Sequence, residues 1–166
     1  MSFLIQQPLP RRRHGHVTAV SVGGEPIQLT ASGRDDGCLG EVLVRCGERA
    51  PARAGLLDAY AAALSVGLEH GVPLADLLGP SLGMGFVPAG RTVDPEIPRV
   101  RSVADYVARR LAIDWLPYAQ RAALGVFAAS ELAGGPVAGR TIPPQRSTTY
   151  PDEGSTPNAV AGSGRR

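Results

Sequence analysis

Lysine is absent from this 166-residue chain, and all 17 basic residues are arginine. We assign the bias to codon composition. Its one chemical consequence is that no phosphate loop of the G-x-x-x-x-G-K-[ST] kind is present. Cysteine is nearly absent too: Cys38 and Cys46 are the only two, which excludes the disulfide framework of a small secreted domain. No apolar run is long enough to span a bilayer, and no charged-then-apolar leader precedes the first strand. A formal net charge of +2 gives no general electrostatic case for nucleic acid. The expectation is a soluble, cytoplasmic protein with no membrane partner. With 43% hydrophobic residues there is material for one modest core, hence a single domain with tails.

What is present centres on 33–78. Gly33-Arg34-Asp35-Asp36-Gly37 reads as a turn, since its glycines reach positive φ and its Asp side chains can bond their own backbone. Leu39 to Arg45 follows, rich in aliphatic and β-branched residues as a strand requires. Leu57, Tyr60, Ala61, Leu64 and Leu68 then recur at three and four, lining one face of a helix. Pro51 fits its first turn, Gly71 its left-handed end, and Pro73 stops it.

Before that unit, Val17 to Val22 and Ile27 to Ser32 alternate apolar with small or polar residues across a Gly-rich turn, the pattern of a hairpin. The simplest sheet is a three-stranded antiparallel meander with the Leu57 to His70 helix on one face. After it, 79–90 is too rich in Gly and Pro for helix or inner strand and reads as an ordinary loop. It holds no G-x-G-x-x-G that opens a helix after a strand. Ser102 is a candidate N-cap with Asp105 three residues on, heading a helix with Val103, Val107, Leu111 and Trp115 as its stripe and Trp115 in the core. Tyr118 to Leu132 reads as one further helix. The fold class is therefore α+β: about three antiparallel strands, then three or four helices. The divisions are an N-terminal lead over 1–16, one domain over 17–133 and a disordered tail over 134–166, where Pro, Gly, Ser and Thr bury too little to order the chain.

Candidate chemistry is sparse. Arg11-Arg12-Arg13-His14-Gly15-His16 reads plainly as a solvated linker. Its sharper reading is an anion- or partner-binding site, in which three guanidiniums beside imidazole clamp a phosphate or an acidic surface. His14 and His16 lack a third ligand nearby, so no metal site is expected. Asp35 and Asp36 are turn carboxylates, candidates only for partner binding. Cys38 and Cys46 fall near opposite ends of one predicted strand, on the order of 25 Å apart, too far for a redox pair. No catalytic residue emerges, and His70 suits a helix end without one.

The order of these segments carries a resemblance. Leu9-Pro10-Arg11-Arg12-Arg13-His14-Gly15, then Gly24, then Asp35-Asp36-Gly37-Cys38-Leu39-Gly40-Glu41-Val42, resembles the C-terminal TSCPD-type domain of cobalamin-dependent (class II) ribonucleotide reductases. It continues through Ala59-Tyr60-Ala61, Ser65 to Leu74, Phe86-Val87-Pro88-Ala89-Gly90, Ser102 to Tyr106 and Arg109 to Ala112, covering roughly 9–117. Two positions depart: Cys38 stands where the family has a polar or basic residue, and Val87 where it has an acidic one. The catalytic barrel of the large reductases is not in this sequence, and no cysteine follows Cys46. The resemblance implies an accessory or regulatory domain in ribonucleotide reduction, and so in deoxyribonucleotide biosynthesis and DNA synthesis. It would partner a class II reductase catalytic subunit, which would hold the cobalamin; no cofactor is expected on this chain. The alternative is an anion- or nucleotide-binding regulatory module independent of a reductase. Self-association is open, since the strands and long helix can expose an interface.

Overall fold

The computed structural model describes residues 9–47 and 51–134. The expectations for the first residues of the lead and for nearly all of the tail lie outside them. Alternation builds the sheet: β1 (Gly15–Val22), β2 (Glu25–Gly33) and β3 (Leu39–Cys46) form an antiparallel meander in the order β1-β2-β3. The β1–β2 connection is the two-residue turn Gly23-Gly24, both at positive φ (57° and 88°), which matches strand twist only with residues free to take that conformation. Val20 and Val22, Ile27 and Leu29, and Val42 and Val44 fall on the buried face. The opposite face carries Val17, Gln28, Leu43 and Arg45 to solvent.

Helix α1 (Pro51–Glu69) buries Leu57, Ala61, Leu64 and Leu68, the stripe expected from spacing. It flanks β3. Val42 N–H donates to Ser65 Oγ (2.9 Å), whose hydroxyl also lies 3.1 Å from the Val42 carbonyl, so a helix side chain satisfies backbone groups on the outer edge of the sheet. Its end is a Schellman motif: Gly71 takes φ 76° and Val72 N–H reaches the Gly67 carbonyl (3.0 Å). Arg34, from the β2–β3 turn, donates to the Leu68 carbonyl (2.5 Å), where a cation complements the helix dipole.

The helix at the centre of the fold is not α1 but α3 (Val103–Trp115), buried on nearly every side from Val103 to Leu111. Ser102 caps it, accepting from Asp105 N–H (3.1 Å). The Asp105 carboxylate does not close the box on the cap residue. It accepts from Arg101 N–H (2.9 Å) and Gly83 N–H (2.8 Å), tying α3 to the preceding loop. Trp115 is core, its ring against Gly33. Between α1 and α3 run α2 (Leu74–Leu78), a 3-10 turn at Gly79–Ser81 and a ribbon of β4 (Gly90–Arg91) with β5 (Arg99–Val100). Strands of two residues are too short to show a period, and sequence reading missed them.

The single helix expected over Tyr118 to Leu132 is instead two, α4 (Tyr118–Ala123) and α5 (Ala129–Leu132). Gly125 at φ 70° ends the first, and Val126 N–H folds back to the Arg121 carbonyl (2.8 Å). The break turns Val126 and Ala128 into the core, burial that one continuous helix would not provide. The α+β class stands.

Candidate functional site

Three surface regions carry side chains beyond those the core needs. The first is the end of the sheet where the lead enters. His14 C=O accepts from Gly33 N–H (2.7 Å), which brings the lead beside the turn holding Asp35 and Asp36. Arg11, Arg12, Arg13 and His14 are exposed, and Arg13 Nη2 donates to Glu41 (2.5 Å). Asp36 Oδ1 accepts from Cys38 N–H (2.9 Å), the bond of an Asx turn, while Asp35 faces solvent. The histidines part company: His16 leans on Trp115 with ring centroids 5.9 Å apart. Cys38 and Cys46 stand at the two ends of β3, not bonded to one another, and Cys46 packs on the core. His70 Nδ1 bonds the Val66 carbonyl (2.8 Å) within its own helix.

The second region is a polar pocket of about 400 Å³ between β1 and the 93–96 segment, with Arg110 at its floor. Arg110 donates to Asp114 (2.7 and 2.9 Å), Glu96 (2.7 Å) and Asp94 (3.2 Å), and Tyr106 Oη donates to Asp94 (2.9 Å). Burial works against the Arg110 charge, yet the bonds to Asp114 and Glu96 outweigh it and hold the guanidinium protonated above its ordinary range. Burial, then the bond to Asp94, push the Tyr106 hydroxyl well up, so it stays a neutral donor. The buried donors, Arg110 and Tyr106, are already committed, which makes this a strut between α3 and the 94–96 loop. Sequence reading missed it. The i,i+4 pair Arg110–Asp114 was the one visible signal, whereas Asp94 and Glu96 arrive from a loop with no period.

The third region is an apolar groove of about 530 Å³ between the first half of α1 and the loop after the 3-10 turn. Leu57 and Ala104 form its floor, and Leu56, Met84, Phe86 and Val87 form its walls. Leu56 is 73% exposed and Val87 78%, large apolar side chains left in water on one patch. Tyr60 donates to Ser81 Oγ (2.9 Å), and burial raises its hydroxyl pKa, so the two hydroxyls of the groove are paired and the rest of the lining, Arg53 apart, is hydrophobic. Arg53 is the one charged residue in the lining. An adjoining apolar patch of this kind marks a surface meant to be covered.

Among the described residues no group of three or more His, Cys, Asp or Glu is placed to hold a metal ion, and no helix is long and apolar enough to cross a membrane. The TSCPD domain family matches residues 5–114. Over 127 residues the chain is 41% identical to the vitamin B12-dependent ribonucleotide reductase of Streptomyces avermitilis, covering 76% of this chain and 13% of that protein. Proteins of the same name from Agrobacterium fabrum (32% over 112 residues) and Rhodopirellula baltica (30% over 124 residues) are also similar, again over a small fraction of their length, 9% and 12%. No solved structure matches the chain.

Proposed function

Since the chain belongs to the TSCPD domain family, we propose that it acts in ribonucleotide reduction as an accessory domain, docking on the catalytic chain of a cobalamin-dependent reductase or helping to assemble it. One observation carries this reading: 76% of the chain aligns with a segment that is only 13% of a vitamin B12-dependent ribonucleotide reductase. An accessory role is also what the side chains favour. The buried polar groups described above bond one another, and the open surface is an apolar groove, the mark of a contact site rather than of a reacting centre.

The two cavities described above, about 400 and 530 Å³, are the size that takes a drug-like ligand rather than a corrin with its nucleotide loop, which supports leaving the cobalamin to the partner. In this reading the cofactor sits on the partner, and no step is derived through it. The anion-binding reading of Arg11, Arg12, Arg13 and His14 has less support, because Glu41 already holds one of the three guanidiniums.

Affinity capture of the tagged chain from its own cells at native level, followed by mass spectrometry, tests the proposal. Recovery of a large reductase chain is the expected result. Recovery of the bait alone, with a nucleotide-dependent thermal shift, favours the binding module instead.

A further inference from the structure

We propose that the groove walled by Leu56, Phe86 and Val87, together with the arginine ribbon beside it, is the surface that receives an acidic, apolar segment of the reductase catalytic chain. This inference rests on the docking reading above and names the surface and the chemistry of its occupant.

The argument starts from the ribbon. Phe86 N–H donates to the Arg101 carbonyl (3.1 Å), which places the groove wall alongside the chain leaving β5. Val100 points into the core, so Arg99 and Arg101 on either side of it project outward, and Arg91 sits opposite Arg99 in the β4–β5 pairing. Arg53 lies in the groove lining itself, and the ribbon that meets the groove wall at Arg101 carries Arg99 and Arg91 beyond it. None of the four is in an ion pair among the described residues, whereas Arg13, Arg109, Arg110 and Arg121 all are. The nearby Asp105 carboxylate is no counter-ion for the patch, since it is buried and spent on two backbone amides and on Arg109.

Charge and shape then define the occupant. A groove lined by leucine, methionine, phenylalanine and valine takes aliphatic or aromatic side chains, and the unpaired guanidiniums beside it take carboxylates, bidentately where geometry allows. A polypeptide with carboxylates flanking apolar residues meets both demands. Single-stranded nucleic acid or a free nucleotide meets the second with its phosphates, but among the walls its bases find only Phe86 to stack on, since Leu56, Met84 and Val87 offer no aromatic face.

The test uses the full chain titrated against the purified catalytic chain of the cobalamin-dependent reductase at two salt concentrations. Leu56→Glu and the double variant Arg99→Glu/Arg101→Glu are each expected to weaken binding by roughly tenfold or more, with the wild-type affinity falling at higher salt. The control Arg45→Ala, on the solvent face of the sheet, should stay within about twofold, as expected away from a hot spot. Both sets change exposed side chains, and an unchanged melting temperature verifies the fold; where Leu56→Glu lowers it, Leu56→Ser takes its place. Binding that survives both groove variants overturns this inference alone. Failure of the wild-type chain to bind overturns the docking reading and this surface with it. Loss of single-stranded DNA binding in the arginine variant, with protein binding intact, also overturns it and assigns the ribbon to an anionic ligand.

Discussion

The arginines of α3 and α4 and those around the groove are the same side chain put to opposite uses. Arg110 is 7% exposed and bonds three carboxylates. Arg121 bonds Glu131 and lies over the Tyr118 ring, 5.0 Å from its centroid. Arg91, Arg99 and Arg101 lie in water with no acid beside them in an ion pair. A buried guanidinium has to be matched or the fold loses several kcal/mol, while an exposed one can stay unmatched at little cost. The difference separates what holds this domain together from what it has left to offer a partner.

Breaking the buried side should have the largest effect. Arg110→Met removes the cation shared by Asp94 and Asp114, 8% and 10% exposed, and is expected to cost about 3–5 kcal/mol in urea denaturation. Arg110→Lys keeps the charge but not the fork, so its loss should be smaller. Next comes Ser102→Ala, which frees the Asp105 amide at the head of α3 and should cost about 1 kcal/mol. A smaller term is set by pH. Hydrogen bonding from Arg121 holds the Glu131 carboxyl below its ordinary range. A depressed carboxyl stabilises the fold in full above its unfolded pKa and loses that contribution as pH falls through the folded one. Thermal midpoints should therefore fall on acidification below the ordinary carboxylate range, and Glu131→Gln should flatten that part of the profile. Arg99→Ala and Arg101→Ala, at the other pole, should move stability by no more than about 0.5 kcal/mol while weakening partner binding. If they destabilise the domain like Arg110→Met, the contrast between the two groups of arginine fails.

Local period made much of this architecture readable. The α1 stripe, the Ser102 cap and the β1-β2-β3 meander were each written in residues close together in sequence. The rest depended on residues that meet only after folding. Arg110 finds Asp94 and Glu96 from 16 and 14 residues upstream, and nothing in the loop around Pro95 announces it. Gly125 split a helix that alanines and leucines favoured, because Val126 and Ala128 gain burial by turning inward. The sequence singled out Arg11 to His14 by their clustering. The structure leaves them at an edge of the sheet with Arg13 paired, and sets Arg53 in the groove lining and Arg101 beside its wall, 48 residues apart in sequence.

The central claim is that this chain serves a catalytic chain other than itself, and deoxyribonucleotide formation measured with and without it tests that most directly. Purified cobalamin-dependent reductase catalytic chain should change in rate, or in the yield of active assembly, when this chain is added, and this chain alone should form no deoxyribonucleotide. An unchanged rate with no complex detected, or turnover by this chain on its own, would contradict the account.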